Sequence, residues 1–368
     1  MRCLVLVLVG ACVTSSDDGT RAAGPPGHLT VALSGAAVGF VESDPPGIAC
    51  GSKCDAEFPG GTMVTLFPIV GRDGTFDGWS GACSGTESCT VMIDGDQTMS
   101  ATFLCTGRKV FNDVAGSQTI QTFSTPGCAK HVIIDAAGGE GGDAGGRGAQ
   151  IRGTFATDML ASRDLLVVVG TAGTHSDVAG GGGGGSFVYV DAANAAPLVA
   201  AAGGGGSSAG CSGGPGSATQ TPTSADGGTG NGAGGSNGGG ASGGVNLGGS
   251  VSPSGTGGGG AGWLSDGRAG SFGTKGGGGR APRNGGSGGG GDGPLGGFGG
   301  FGGGGGAASI GGASGGGGGY NGGGGGNNLS GNARGCGGGG GSYNGGEDPL
   351  NTAGARVGNG RVAITWTD

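Results

Sequence analysis

Residues 179–206 read AGGGGGGSFVYVDAANAAPLVAAAGGGG, and this stretch decides the fold. Two apolar runs typical of strands, SFVYVDA and PLVAAA, are each joined directly to a run of glycine. Further glycine runs follow at 302–306, 315–319, 322–326 and 337–341. Fixing one backbone residue costs about 1–2 kcal/mol, and glycine loses the most freedom. The runs therefore either stay disordered or form an array in which the missing side chains permit dense backbone packing.

The composition limits the class of protein. The chain has 368 residues and 109 glycines, with 34% hydrophobic and 11% charged residues, so it is long enough for two domains but half of it cannot bury an ordinary core. Collagen is excluded because glycine does not occupy every third position. A net charge of -8 argues against a nucleic-acid partner, which needs clustered Lys and Arg. The scattered Arg268, Lys275, Arg280 and Arg283 indicate solubility rather than recognition.

The N-terminus has the pattern of an export signal. A positive start and a short apolar core, Leu4–Val9, precede the small residues before Cys12. The sequence VGAC at 9–12 resembles the bacterial lipobox. The resemblance implies that Cys12 carries diacylglycerol through a thioether, that residues 1–11 are a lipoprotein signal peptide, and that residues 12–27 are a tether. We therefore expect a lipid anchor at the cell envelope; the alternative is an ordinary cleaved signal and a secreted chain in which Cys12 forms a disulfide.

Export makes the cysteine count informative. Besides Cys3 and Cys12 there are eight cysteines, an even number that indicates disulfides in an oxidising compartment. Their close spacing pairs Cys50 with Cys54 and Cys83 with Cys89, for which a four-cysteine zinc site is the alternative. The pairs left over are Cys105 with Cys128 and Cys211 with Cys336. The last pair would staple the two ends of the glycine-rich stretch.

Residues 28–104 predict a small all-β module. The segments LTVALSG, GTMVTLFPIV, CTVMIDG and MSATF alternate with period two between turn residues. The motifs PPGIACGSKC and TFDGWSGACSG, with the ending SATF, resemble a divergent internalin-type B-repeat of bacterial envelope proteins. That resemblance implies a stalk or spacer unit without a site. We expect Trp79 of the GWSGAC motif to be a buried aromatic that anchors a hairpin.

Residues 105–368 predict a second, glycine-rich domain. Strand-like runs occur before the glycine-rich stretch, and RVAITW at 361–366 returns at the end as though closing a sheet that began before it. We predict a β-sandwich with a glycine-rich insertion at 203–341. A loop of that length must be functional, structured or disordered.

A specific resemblance covers about residues 123–366. The block at 179–206, preceded by IIDAAGGEGG and DLLVVVGTAG and followed by GCGGGGGSYNGG and GNGRVAITW, resembles the glycine-rich ectodomain of the anaplastic lymphoma kinase and leukocyte tyrosine kinase receptors. The resemblance implies a TNF-like β-sandwich with left-handed polyglycine-II helices packed side by side. A helix of that type has three residues per turn and no internal hydrogen bonds, so its N–H and C=O groups can pair with neighbouring helices. Disorder is the alternative, since Gly/Ser composition alone favours a flexible chain.

The sequence predicts no enzyme. The kinase half of those receptors is missing, since no lysine-bearing phosphate loop, HRD or DFG motif occurs. His28, His131 and His175 lie in separate segments without a nucleophile elbow or metal spacing. The GGEGGD stretch at 138–143 matches a calcium-binding nonapeptide only once and in part. We therefore expect no cofactor and no metal.

Two classes of function fit these patterns. The first is a lipid-anchored surface protein whose glycine-rich head binds a protein or a glycan, and the second is a structural envelope or matrix component without a specific ligand. A relative of the receptor ectodomains that lacks the kinase half is a further alternative. The candidate contacts of a binding head are the aromatic residues between the glycine runs, which could equally be packing residues. They are Trp263, Phe272, Phe298, Phe301, Tyr320 and Tyr343.

Overall fold

The computed structural model describes residues 24–112, 118–160, 164–192, 195–225, 232–245, 255–293, 295–327 and 335–368. The chain divides into two compact units between Phe103 and Leu104. In the described residues all regular structure is β-strand except for two short 3-10 turns, at Thr157–Met159 and Pro282–Asn284. The protein is therefore an all-β protein, as the sequence predicts.

The N-terminal unit contains two four-stranded sheets, in the orders β4-β1-β8-β6 and β3-β2-β5-β7. Strands β1 and β8 run parallel, whereas β2 pairs antiparallel with both β3 and β5. The strands are β1 Gly27–Ser34, β2 Gly39–Asp44, β3 Ala49–Cys50, β4 Asp55–Phe58, β5 Met63–Val70, β6 Thr75–Gly81, β7 Cys89–Met92 and β8 Gln97–Leu104.

Period-two alternation explains the core of this unit. Leu29 and Val31 of β1 are buried and Thr30 between them is exposed, because successive strand residues point to opposite faces. Val64 and Leu66 of β5 are buried in the same cluster. The two sheets thus share one hydrophobic core.

Trp79 is buried, as the sequence predicts, and it holds the turn that follows β6. Its indole Nε1 donates to the carbonyl of Glu87 at 2.7 Å and its backbone N–H to Gly85 at 2.9 Å. Its ring packs edge-on against Phe76. The disulfide Cys83–Cys89 closes the same segment, and Cys50–Cys54 closes the turn between β3 and β4.

The C-terminal unit contains two five-stranded antiparallel sheets, in the orders β19-β12-β11-β20-β9 and β10-β13-β14-β15-β18, and a parallel pair of short strands, β16 and β17. The strands are β9 Gly107–Asn112, β10 Gln121–Ser124, β11 His131–Ala137, β12 Gly148–Ala156, β13 Asp164–Val168, β14 Ser186–Tyr189, β15 Val199–Ala201, β16 Gly255–Thr256, β17 Thr274–Lys275, β18 Tyr343–Asn344, β19 Glu347–Arg356 and β20 Arg361–Thr367.

The last strand closes the first of these sheets. Strand β20 lies between β9 and β11 and pairs antiparallel with both, as the sequence predicts for RVAITW. The two five-stranded sheets contribute to one core, in which Ile134 and Ile151 from one sheet meet Leu165 and Val188 from the other. The disulfide Cys105–Cys128, with a Cα–Cα distance of 5.8 Å, links the start of the unit to the segment before β11.

Candidate functional site

A glycine array fills much of the C-terminal unit. It consists of extended segments whose backbones bond to one another across the chain, and which are assigned to neither strand nor helix over most of their length. The segments are 138–146, 170–174, 179–185, 202–207, 213–223, 232–244, 255–281, 286–293, 295–308, 313–327 and 335–341. The array is larger than predicted, because the first three segments and part of the fourth lie outside the expected insertion at 203–341. The array therefore contains the predicted stretch between β15 and β18 together with segments from other strand connections.

The hydrogen bonds of the run 180–185 repeat every third residue. Each pair of N–H groups three residues apart donates to the same neighbouring segment, at 2.8–3.2 Å. Gly180 and Gly183 donate to Ser207 and Gly204, Gly181 and Gly184 to Thr174 and Thr171, and Gly182 and Gly185 to Gly305 and Gly302. The N–H groups of this run therefore donate to three different neighbouring segments of the array.

The run 315–319 is also fully buried and is surrounded in the same way. Gly315 and Gly318 donate to Gly180 and Gly183, Gly316 and Gly319 to Gly258 and Ala261, and Gly317 to Gly338. The carbonyls of this run accept from Gly206 and Gly203, from Gly305, and from Gly323 of the next glycine run, 322–326. Six neighbours, five other segments and that next run, therefore bond to one run of backbone.

Close approach of backbones explains why these positions are glycine. A Cβ atom added at Gly317 would overlap the carbonyl oxygen of Gly203, and one added at Gly184 would overlap that of Phe301. Most other array glycines meet a backbone carbonyl in the same way. A side chain at such a position would push two segments apart and break the hydrogen bonds that join them.

The array is joined to one sheet by continuous chain. The run 180–185 leads into β14, the run 203–206 follows β15, and the run 337–341 precedes β18. These three strands are adjacent in their sheet. Three neighbouring strands therefore extend directly into the array and fix its position on the sheet.

The disulfide Cys211–Cys336 joins the turn between segments 202–207 and 213–223 to the segment 335–341, with a Cα–Cα distance of 5.9 Å. Cys336 is fully buried, and its sulfur lies 3.1 Å from the backbone nitrogen of Ser208. The pairing is the expected one. The disulfide was expected to join the two ends of the glycine-rich stretch. It does not join the two ends of the array, because the array also includes segments before Cys211.

Two of the candidate aromatic residues are packing residues. Trp263 and Phe301 are 1% and 2% exposed and share a cluster with Phe187 and Tyr189. The Trp263 ring stacks on Phe187 at a centroid distance of 6.0 Å and meets Tyr189 edge-on at 5.0 Å. Their candidacy as surface contacts is therefore wrong: both rings fill the junction between the array and the sheet that contains β14.

Arg283 covers this cluster, and sequence reasoning assigned it only to solubility. Its guanidinium lies 4.6 Å from the centroid of the Trp263 ring and donates to the carbonyls of Ala192 and Ala195 at 2.9 and 3.1 Å. The indole Nε1 of Trp263 also donates to Ala195. Arg283 and Trp263 together hold the chain that leaves β14. Burial and the nearby carboxylate of Asp191 raise the pKa of Tyr189, while Arg283 acts to lower it.

Tyr320 and Tyr343 are half-buried and stack on each other with ring centroids 4.8 Å apart. Tyr343 also lines a groove of about 370 Å³ together with Phe155, Leu160, Leu198 and Glu347. The groove is apolar and half open. These two tyrosines are thus partly accessible to solvent.

Phe272 and Phe298 are the candidate aromatics that the structure exposes, by 37% and 55%. Ile310, which the sequence reasoning missed because it considered aromatic residues alone, is 41% exposed, and its backbone bonds to Thr274, two residues after Phe272. The hydroxyl of Thr274 joins the two turns, since it donates to the carbonyl of Ile310 and accepts from its N–H. We call Phe272 and Ile310 the apolar tip of the array.

The described residues contain no group of three or more His, Cys, Asp or Glu side chains that could hold a metal ion. His28 and His131 are exposed on strands β1 and β11, and His175 is an exposed side chain that contacts Asp143. No helix of the described chain is both long and apolar enough to cross a membrane. Cys12 lies outside the described residues.

Neither the family models nor the curated proteins contain a match to this chain. The resemblances to the B-repeat, to the receptor ectodomains and to the lipobox therefore stay predictions. The function has to be inferred from the array, the disulfides and the exposed side chains.

Proposed function

We propose that this protein is a lipid-anchored surface protein of the cell envelope, without catalytic activity, whose glycine-rich unit is a rigid head for binding or adhesion. The observation that carries the proposal is the periodic bonding of the array. Buried runs such as 315–319, whose backbone groups bond to six neighbours, form a stiff body that carries the exposed side chains. Stiffness reduces the entropy that a binding surface loses on association.

The array is proposed to be a bundle of left-handed polyglycine-II helices on a TNF-like sandwich. Donors that repeat every third residue match a helix with three residues per turn, in which side-by-side helices exchange all their hydrogen bonds. The shared core of the two five-stranded sheets supports a sandwich. The resemblance to the receptor ectodomains suggests the same arrangement.

The disulfides support a location outside the cytoplasm. Four pairs occur in the described chain, and such bonds persist mainly in oxidising compartments. Together with the VGAC sequence before Cys12, they support export followed by attachment to the membrane through lipid.

The apolar tip is the proposed contact surface. Phe272 and Ile310 are exposed apolar side chains on bends of the array, and exposed aromatic and aliphatic groups are typical anchors of interfaces. Phe298 is a second exposed ring of the array. The partner is proposed to be a protein or a glycan.

Saturable binding to cells or to immobilised envelope glycans tests this role. The double variant Phe272→Ala, Ile310→Ser should weaken binding at least tenfold without changing the melting temperature. Leu350→Ser is the matched control, since Leu350 is 63% exposed on the edge strand β19 and should not contribute. Wild-type protein that binds no surface, or equal binding by the tip variant, would count against a binding head.

A further inference from the structure

One segment at the surface of the array is incompletely bonded. The outer tract, residues 287–292, accepts at Ser287 and Gly290 from Arg280 and Gly277, at 2.9 and 2.8 Å. On its inner side Gly289 and Asp292 donate to Gly304 and Ala307, at 2.7 and 3.1 Å. These contacts repeat every third residue, as in the centre of the array.

The remaining positions of the outer tract have open backbone groups. Gly288 and Gly291 are partly exposed, and within the described chain neither their N–H nor their C=O groups make a hydrogen bond. They are three residues apart, which is the spacing at which buried segments of the array bond to a neighbour. The outer tract therefore presents the surface onto which one further glycine segment would fit, as an open edge strand accepts another strand.

The charges beside the outer tract are also unpaired. Arg280 is exposed and Asp292 partly exposed, and the single ion pair among the residues that the structure describes is His175 with Asp143. Arg280 lies beside Ser287, to which its backbone N–H donates, whereas Asp292 is at the opposite end of the tract. An antiparallel copy of the same tract would bring each of these charges next to its opposite.

We propose that the outer tract pairs with the outer tract of a second copy of this chain about a two-fold axis. In that pairing the backbone groups of Gly288 in each copy face those of Gly291 in the other copy. Asp292 of each copy faces Ser287 of the other copy, and with it the neighbouring Arg280. The array itself contains this antiparallel geometry, where Gly180 and Gly183 bond to Ser207 and Gly204. A two-fold axis repeats each contact, so one surface patch supplies both halves of the interface.

The second copy is favoured over an unrelated partner because both kinds of complementarity come from the tract itself. A backbone can approach Gly288 and Gly291 closely only if it lacks side chains, and the outer tract has glycine at four consecutive positions, 288–291. Self-pairing also places Arg280 of each copy next to Asp292 of the other copy. The pairing does not depend on the binding role of the apolar tip.

Sedimentation equilibrium of the purified protein over a range of concentrations tests the pairing. Gly290→Val is the first variant, because a Cβ at Gly290 meets no atom within 4 Å, so the unit should fold while the new side chain keeps the second copy away. Gly127→Val is the matched control, since a Cβ there also meets nothing within 4 Å and Gly127 lies outside the array. We expect a dimer for the wild type and the control, and at least tenfold weaker association for Gly290→Val with an unchanged melting temperature.

Charge reversal identifies the orientation of the two copies. Arg280→Glu and Asp292→Arg should each weaken the dimer about tenfold, and the double variant should restore it, because reversing both charges restores both ion pairs. The wild type and all variants have the same N-terminal residues, so a difference in dimer affinity between them comes from the outer tract. A wild type that stays monomeric, a Gly290→Val dimer of undiminished affinity, or a double variant weaker than both single variants would overturn the proposal; the last would indicate a different partner surface.

Discussion

The backbone N–H of Gly318 donates to the carbonyl oxygen of Gly183 at 3.0 Å, and this bond joins two glycine runs that are distant in the sequence. Gly183 belongs to the run that leads into β14, whereas Gly318 belongs to the run surrounded by six neighbours. Each such bond contributes about 0.5–1.5 kcal/mol, which is comparable to the cost of ordering one backbone residue. The array therefore depends on the completeness of its bonding rather than on a hydrophobic core.

Gly317→Val should unfold the array locally or destabilise the whole unit. The new side chain would overlap the carbonyl of Gly203 and push away the segment 202–207, which donates to Gly315 and Gly318 of the same run. We expect the free energy of unfolding to fall by more than about 3 kcal/mol, measured by denaturant titration. Gly127→Val is the control and should change stability by less than about 0.5 kcal/mol, as surface changes usually do. Equal stabilities of the two variants would show that the array does not need its glycines.

The eight cysteines of the two units should all be oxidised. Thiol labelling of the exported protein under denaturing, non-reducing conditions should detect no free thiol among them, and stoichiometric zinc with labelled cysteines would contradict the four disulfides. Replacing Cys211 and Cys336 together by Ala should lower the free energy of unfolding by about 2–5 kcal/mol, because the bond closes a long loop. In reducing buffer, the same two substitutions should change the free energy of unfolding little, because the disulfide is already broken.

Tyr189 should make the protein sensitive to alkali. Burial raises its pKa above 10.0 in the folded state, so the unfolded chain loses the proton first as the pH rises. Its contribution to stability is complete below pH 10.0 and is lost as the pH rises through the raised pKa. Tyr189→Phe should remove this part of the alkaline destabilisation, and Arg283→Met should raise the pKa further. Identical alkaline unfolding of the wild type and Tyr189→Phe would refute the assignment.

Cys12 should be acylated. The VGAC sequence motivates this expectation, which concerns a residue outside the described ones. Cys12→Ala should leave an unprocessed or soluble precursor, whereas the wild-type protein should partition with membranes and carry a lipid mass increment. A soluble mature wild-type chain without that increment would contradict the anchor.

Strand content was predictable where apolar residues alternate, as in β1 and β5, or form short runs, as in β13 and β20. Strand β12 was missed beyond its start, because glycines interrupt its alternation although it pairs on both sides. Strand β19 was missed because it is an edge strand with Pro349, Gly354 and little burial, so that no apolar period marks it. Both strands form because their neighbours in the sheet supply the hydrogen bonds.

The candidate contact residues show a different limit of sequence reasoning. An aromatic residue in a glycine-rich stretch looks the same whether it fills a junction, as Trp263 does, or projects into solvent, as Phe298 does. The difference arises from the segments that pack around it, which are far away in the sequence. The extent of the array was underestimated for the same reason, since glycines at 138–146 acquire their role only beside the runs 180–185 and 203–206.

Amide hydrogen exchange of the array tests its order most directly. If the array is ordered, the amides of Gly182, Gly205 and Gly317 should exchange about as slowly as those of core strand residues such as Ile134, and Gly317→Val should accelerate exchange across the neighbouring runs. Exchange as fast as in an unstructured glycine peptide throughout the array, unchanged by Gly317→Val, would show that these segments form no bonded array.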